Sequence, residues 1–477
     1  MTNLRYQAAN NLRTGFDHYG PSPTTRFLDH PLEVAGYQND QLPPEIPKLR
    51  KIFKDRRLML HNRLAALVVV VNLGWLAYGT TFGNWWSSEG HNLGALGNAA
   101  VINLSMAIII RQQLVINLLF KMATSAPTSW PLRIRWALGK VYHFGGIHVG
   151  GAITGTFWFT AFLASTVYHG AKGLPGVSAA MLVTSHLLLG LLLGLIGMAL
   201  PSMRAKHHDR FEISHRFGGW LTLGLFWLHI SFSAMAANPQ RSVVSALSSS
   251  LSFWLLTIVT ISVIFPWLHL KKVPVEIVRP SDHVALVNFD HGVTPFAGSS
   301  TPVSRSPLRE WHSFANVPSP GKEGFRLTIS RAGDWTGQFI DDCPSHVWVK
   351  GIPTAGVGNI DRLFTRVVWV ATGSGIGPTL PHLLSQEVPA HLVWATRDPR
   401  ETYGDQLVDE ILAVQPNATI WNTQSDGKPD MVKLAHRAVQ AFDAEAVICI
   451  SNKKLTWAVV EGMERVGIPA FGAIWDS

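Results

Sequence analysis

The chain has 477 residues, enough for two or three domains, and only 15% of them are charged while 47% are hydrophobic. The net charge is +9, yet the Lys and Arg residues sit at the ends of apolar runs, and no nucleic-acid-binding motif accompanies them. Two cysteines, Cys343 and Cys449, exclude a disulfide framework and a cysteine metal site.

Residues 1–60 are polar, with Pro43, Pro44 and Pro47, and read as a mostly irregular cytosolic tail. Six apolar segments follow: Leu64–Phe82, Leu93–Phe120, Val141–Tyr168, Val177–Leu200, Phe211–Ala236 and Leu247–Leu270. Each is long enough, as a helix, to cross a bilayer core of roughly 30 Å. Arg111 interrupts the second; its expected partner is water at a membrane boundary or an anionic cofactor group. Lys121, Arg133, Arg135 and Lys140, then Arg204, Lys206 and Arg210, then Lys271 and Lys272 lie on one side of these segments, with the basic N-terminal tail. The opposite loops hold only Lys172 and Arg241. This asymmetry predicts a multi-pass integral membrane protein over residues 61–272, surrounded by lipid, with both termini in the cytosol.

After Lys272 the pattern changes. PVEIV, HVALVNF, FRLTISR and HVWVKG read as short strands of a small β-barrel over 273–365, with 290–308 as a loop or insertion. From 366 to 477, RVVWVA, a Gly-rich turn, TLPHLLSQ and HLVWATR alternate strand and helix. Helices near 430–441 and 455–465 and the strand AVICIS complete a parallel α/β domain. The fold class is therefore a six-helix transmembrane bundle followed by an antiparallel β-barrel and an α/β nucleotide-binding domain.

Five histidines fall inside the apolar segments: His143, His148, His186, His215 and His229. Ionisable residues in such segments are functional candidates. His215 and His229 are 14 residues apart, so they share a helix face about 21 Å apart along the axis. That spacing fits two stacked haems held by paired imidazoles. His148 or His143 would pair with His215, and His186 with His229. In the α/β domain, Gly373, Gly375 and Gly377 make a strand–turn–helix junction that brings backbone close to a phosphate. Arg397, after the next strand, is placed to meet a 2′-phosphate.

HRFGGWLTLGLFWLH (215–229), WHSFA (311–315), GDWTGQF (333–339) and GSGIGP (373–378) resemble the ferric reductase and NADPH oxidase superfamily. The ending RVGIPAFGAIWDS is similar to fungal transmembrane flavoproteins of the TmpA type. The resemblance implies a ferredoxin-reductase-like module with His312 and Phe314 against a flavin and Thr336 at the FAD pyrophosphate. It places Trp475 over the flavin ring, with Cys449 near hydride transfer. Ser313, Ala315 and Ile450-Ser451-Asn452 depart from that family's pattern, as do Phe157 and Phe162 where it has a second histidine. The implied activity is electron transfer from cytosolic NADPH or NADH through FAD and one or two b-type haems to a metal ion, oxygen or a small organic acceptor. The alternatives are a haem-poor flavoprotein acting on a small metabolite and a non-catalytic membrane sensor or scaffold.

Overall fold

The computed structural model describes residues 26–45, 58–293, 295–318 and 324–473. The basic residues Lys51, Lys54, Arg56 and Arg57 of the tail lie outside them. The longer helices of the N-terminal half are α1 (Leu60–Thr81), α2 (Leu93–Ile109), α3 (Gln113–Thr124), α4 (Leu132–Leu138), α5 (Gly145–Lys172), α6 (Ala179–Ala199), α7 (His208–Ala237) and α8 (Leu251–Leu268). A two-strand hairpin, β1 (Trp86–Ser87) and β2 (Gly90–His91), joins α1 to α2. Among the described residues, five helical stretches are long and apolar enough to cross a membrane by length and composition, or six if one bent pair counts as a single span.

That bent pair is α2 and α3, expected as one segment over Leu93–Phe120. They diverge by 73° at Ile110–Gln112. The break is built into the sequence. The Gln112 side chain accepts hydrogen bonds from Leu114 N and Val115 N, so it starts a new helix. Arg111 therefore sits in a helix junction. The polar residues of α3 dock on the C-terminal half: Gln113 bonds Ile352 O and Thr354 Oγ1, and Asn117 bonds Pro353 O and Ala355 N.

The barrel holds two antiparallel sheets. One has β3 (Lys271–Pro274), β10 (His346–Val349), β6 (Ser299–Ser304) and β11 (Thr354–Ala355), with β7 (His312–Ala315) also on β6. The other has β4 (Glu276–Ser281), β5 (Val284–Phe289), β9 (Phe325–Ser330) and β8 (Val317–Pro318). Their inner faces share a core of Val273, Val287, Phe289, Val303, Leu327 and Val349. Helix α9 (Asp334–Asp342) plugs that core with Phe339 and Ile340. Strand β6 lies inside the stretch expected as a loop. Its inward residues include Ser299, Thr301 and Ser304, so no apolar alternation marks it; hydrogen bonds from Ser299 Oγ to Phe296 O and from Asn316 Nδ2 to Ser299 Oγ compensate the burial.

The last part is a five-stranded parallel sheet in the order β14 (Thr419–Asn422), β13 (Ala390–Thr396), β12 (Val367–Thr372), β15 (Ala446–Ile450), β16 (Ala470–Gly472). Helices α10 (Ile376–Ser385), α11 (Asp405–Val414), α12 (Met431–Phe442) and α13 (Lys453–Arg465) cover its faces. Strands β12, β13 and β15 are buried on both faces, which explains their continuous apolar runs. A barrel followed by this sheet makes residues 271–472 a ferredoxin-reductase-like unit.

Two ion pairs also bind the halves of the chain. Arg135 of α4 forms a bidentate pair with Glu445 (2.7 and 2.8 Å) and also donates to Leu363 O and Trp130 O. Lys140 pairs with Glu464 at 2.6 Å. The described part of the N-terminal tail is mostly irregular and docks on the parallel-sheet domain. Tyr37 is buried, its hydroxyl accepts from Asp430 N, and Arg437 holds both oxygens of Asp40.

Candidate functional site

The sheet order places β12 between β13 and β15, so consecutive connections leave β12 in opposite directions. The crevice at the carboxyl end of β12 is the ligand-binding position of such sheets. The Gly373–Gly377 turn fills this position. Gly373 has φ +48°, a left-handed conformation, and its carbonyl accepts from Trp394 Nε1 at 3.1 Å. A Cβ on Gly375 would stand 2.0 Å from Ile450 O, closer than any side chain tolerates. A Cβ on Gly377 would touch Thr328 of β9 at 3.4 Å, so the turn lies directly against the barrel. Helix α10 starts here with no side-chain cap; its first amide, Ile376 N, bonds back to Gly373 O, and the positive end of the helix dipole faces the crevice. Across the crevice, Thr372 Oγ1 and Ser451 Oγ are hydrogen-bonded.

Arg397 follows β13 at the same edge. It is exposed and, among the described residues, its side chain makes one bond, from Nε to Gln424 Oε1 at 2.9 Å. The rest of its guanidinium faces solvent, as phosphate recognition requires.

The barrel side presents the WHSFA strand. His312 and Phe314 of β7 pair with Val303 and Thr301 of β6. Trp335 of α9 stacks on His312 at 4.1 Å and lies 6.1 Å from Phe314. Thr336 caps its own helix: its Oγ1 accepts from Ala332 N and Gly333 N. Beside this strand, Lys350 lies 4.2 Å from the Trp311 ring and 4.4 Å from that of Trp267. Burial lowers its ammonium to about 8.

Of the two catalytic candidates, the described one, Cys449, stands apart from this crevice. Cys449 is fully buried in the core between β15 and the helices, and burial pushes its thiol up to about 12. It carries no thiolate at neutral pH. Trp475 lies outside the described residues.

The histidines meet different surroundings, and of the expected pairs His148 and His215 come within electrostatic reach of each other. His186 is exposed, with Nδ1 bonded to Leu182 O in its own helix. His229 is buried among Phe159, Phe162 and Phe226, and its nitrogens face Thr184, Ser185 and Ser233 hydroxyls. The pairing of these two across a second haem is thus corrected: they sit on different surfaces. His148 bonds Ala107 O at 2.8 Å, His143 is buried against Tyr142, and His215 packs on Phe211. Among the described residues, no group of three or more His, Cys, Asp or Glu is placed to hold a metal ion.

Sequence reasoning missed Glu310 and Trp335 at this site. Glu310 immediately precedes WHSFA, two residues before His312, and Trp335 lies within GDWTGQF, so both were within reach of the same motif reading.

Comparison with known proteins redirects the reading. The family model for the C-terminal domain of adenylate-forming reductase 03009 matches residues 357–477. Two Coprinopsis cinerea proteins, adenylate-forming reductases 03009 and 06235, are 42% and 40% identical over 448 and 449 residues, 93% of this chain in each case. The chain spans 43% of the length of either relative. Among solved structures, a ferredoxin NADP+ reductase from Neisseria gonorrhoeae matches 43% of this chain and 98% of its own, at 13% identity and a TM-score of 0.35. The cytochrome P450 reductase GcoB from Amycolatopsis matches 43% and 70%, at 13% identity and 0.34. Neither likeness is close enough to place a ligand.

The resemblance to the ferric reductase and NADPH oxidase superfamily, with its TmpA-type branch, is overturned by these relatives, and haem-mediated electron transfer across a membrane falls with it. The multi-pass localisation with cytosolic termini does not stand either, because the relatives carry the names of adenylate-forming reductases over the helical half too. Two of the charges in that asymmetry have tertiary partners: Arg135 pairs with Glu445 and Lys140 with Glu464.

Proposed function

We propose that this chain is a nicotinamide-dependent flavoprotein reductase, and that it carries the reducing half of the chemistry named in its relatives. Those names join adenylate formation to reduction, and the matching family model describes their C-terminal domain. The observation that carries the reading is the Gly373–Gly377 turn at the sheet's switch point, pressed against barrel strand β9. Nicotinamide and flavin sites meet at such a seam.

The residues fit both groups. Gly375 lets the turn pack directly on Ile450 O of β15, which seats the turn in the crevice, and the positive end of the α10 helix dipole there would favour a pyrophosphate's charge. Arg397 would hold a 2′-phosphate, which makes NADPH the preferred donor. His312, Phe314 and Trp335 form an aromatic wall for FAD, with the N-terminus of α9 near its pyrophosphate. The flavin, when bound, accepts a hydride and supplies the redox chemistry. The chain's own residues bind, orient and exclude water.

The test is the protein purified from a flavin-replete host. It should retain FAD and oxidise NADPH in the presence of an artificial electron acceptor. A protein that binds neither cofactor overturns this reading.

A further inference from the structure

Glu310 and His312 stand in an arrangement that packing alone does not account for. Glu310 Oε1 accepts three hydrogen bonds, from Ser304 Oγ (3.0 Å), Arg305 N (2.8 Å) and Ser306 N (2.8 Å). The carboxylate is thereby locked, and its second oxygen, Oε2, is sealed from solvent without a hydrogen-bond partner. It faces His312 Nε2, also sealed and unpartnered, at 3.6 Å. Trp335 stacks on the same imidazole at 4.1 Å and fixes its plane. A locked carboxylate aimed at one ring nitrogen keeps the proton on that nitrogen and leaves the other, Nδ1, as the basic atom.

We propose that Glu310 is the positioning residue for His312, and that His312 takes up one proton from solvent at Nδ1 when the bound flavin is reduced. The inference rests on the flavoprotein reading above. Hydride transfer breaks a C–H bond of the nicotinamide and leaves it oxidised; the flavin gains two electrons and one proton and carries an added negative charge. An imidazolium at His312 balances that charge, with its Nε2–H directed at the Glu310 carboxylate.

Burial holds His312 below its usual range, while Glu310 pulls the other way. The ring is therefore neutral at pH 7 before reduction. The other charged groups near it are Glu212, Asp209 and His208, all on α7. None of them approaches Nε2 as closely as Glu310.

The experiment compares wild type with Glu310→Gln, which keeps the acceptor at Oε1, removes the charge and replaces the acceptor facing His312 Nε2 by an amide donor. Two readouts serve: the His312 titration followed by NMR in the cofactor-free protein, and the pH dependence of the flavin midpoint potential in the loaded one. Loss of a carboxylate at this distance should lower both the imidazole pKa and the inflection in potential by about one unit or more. His312→Gln, with flavin still bound, should remove the inflection altogether. Superimposable titrations, or an inflection that survives in His312→Gln, overturn the relay while leaving the reductase intact. A chain that takes up no flavin overturns both.

Discussion

At the scale of single residues, the account turns on what a few side chains can and cannot do. Gly375 has no room for a methyl group, because Ile450 O lies 2.0 Å from where one would be. Gly375→Ala should force β12 and β15 apart at the crevice, at a cost of about 1–3 kcal/mol. The NADPH KM should rise at least tenfold while FAD stays bound, as steady-state kinetics and flavin content will show. Arg397 has a single side-chain partner, Gln424, so its removal disturbs little else. Arg397→Ala should weaken NADPH about tenfold and leave NADH unchanged, because a charged hydrogen bond to phosphate contributes roughly 1.5–3 kcal/mol. Cys449 should resist alkylation in the native protein, since its thiol is buried and shifted to about 12. Intact-mass measurement after iodoacetamide treatment should find one adduct, at exposed Cys343, and a second only on unfolding.

At the scale of elements, the strand–turn–helix of β12, Gly373–Gly377 and α10 was legible because its signals are local: an apolar run, three glycines and a helical pattern. Strand β6 was not, since Ser and Thr fill its inner face and period-two hydrophobicity vanishes. The α2–α3 break was half visible. Arg111 marked the place, but a capping Gln112 reads like any other polar residue until its side chain is seen on Leu114 N and Val115 N. Helix α4 misled for a different reason. Its basic residues look like membrane-boundary charges, and only the tertiary fold pairs Arg135 with Glu445. Burial works against ionisation of Glu445, but Arg135 and the Thr365 amide outweigh it and hold its carboxyl below the usual range. A depressed carboxyl stabilises the fold above its unfolded pKa of about 4.3, and that contribution fades as pH falls through the lower folded value. Arg135→Ala should cost about 3 kcal/mol at pH 7, less below pH 4, in chemical denaturation.

At the scale of the whole molecule, the helical half and the reductase unit share one core. Ile116 and Phe120 of α3 sit in the same cluster as Trp369, Trp394 and Phe471 of the parallel sheet, and Leu138, Val141 and Tyr142 pack against it. The apolar helices are therefore fastened to the parallel-sheet domain. The sequence-level resemblance rested on motifs of this reductase unit and on histidine spacing. The motifs converge at one crevice; the spacing of His215 and His229 on α7 reflects helical geometry, with His148 near His215 and the Thr184, Ser185 and Ser233 hydroxyls around His229. The central claim is that electrons pass from NADPH to a flavin held between the barrel and the parallel sheet. An anaerobic titration of the purified, FAD-loaded protein with NADPH, followed by absorption, tests it most directly. Stoichiometric bleaching of the flavin band, faster with NADPH than with NADH, is the expected result. A flavin band that NADPH leaves untouched would contradict the account.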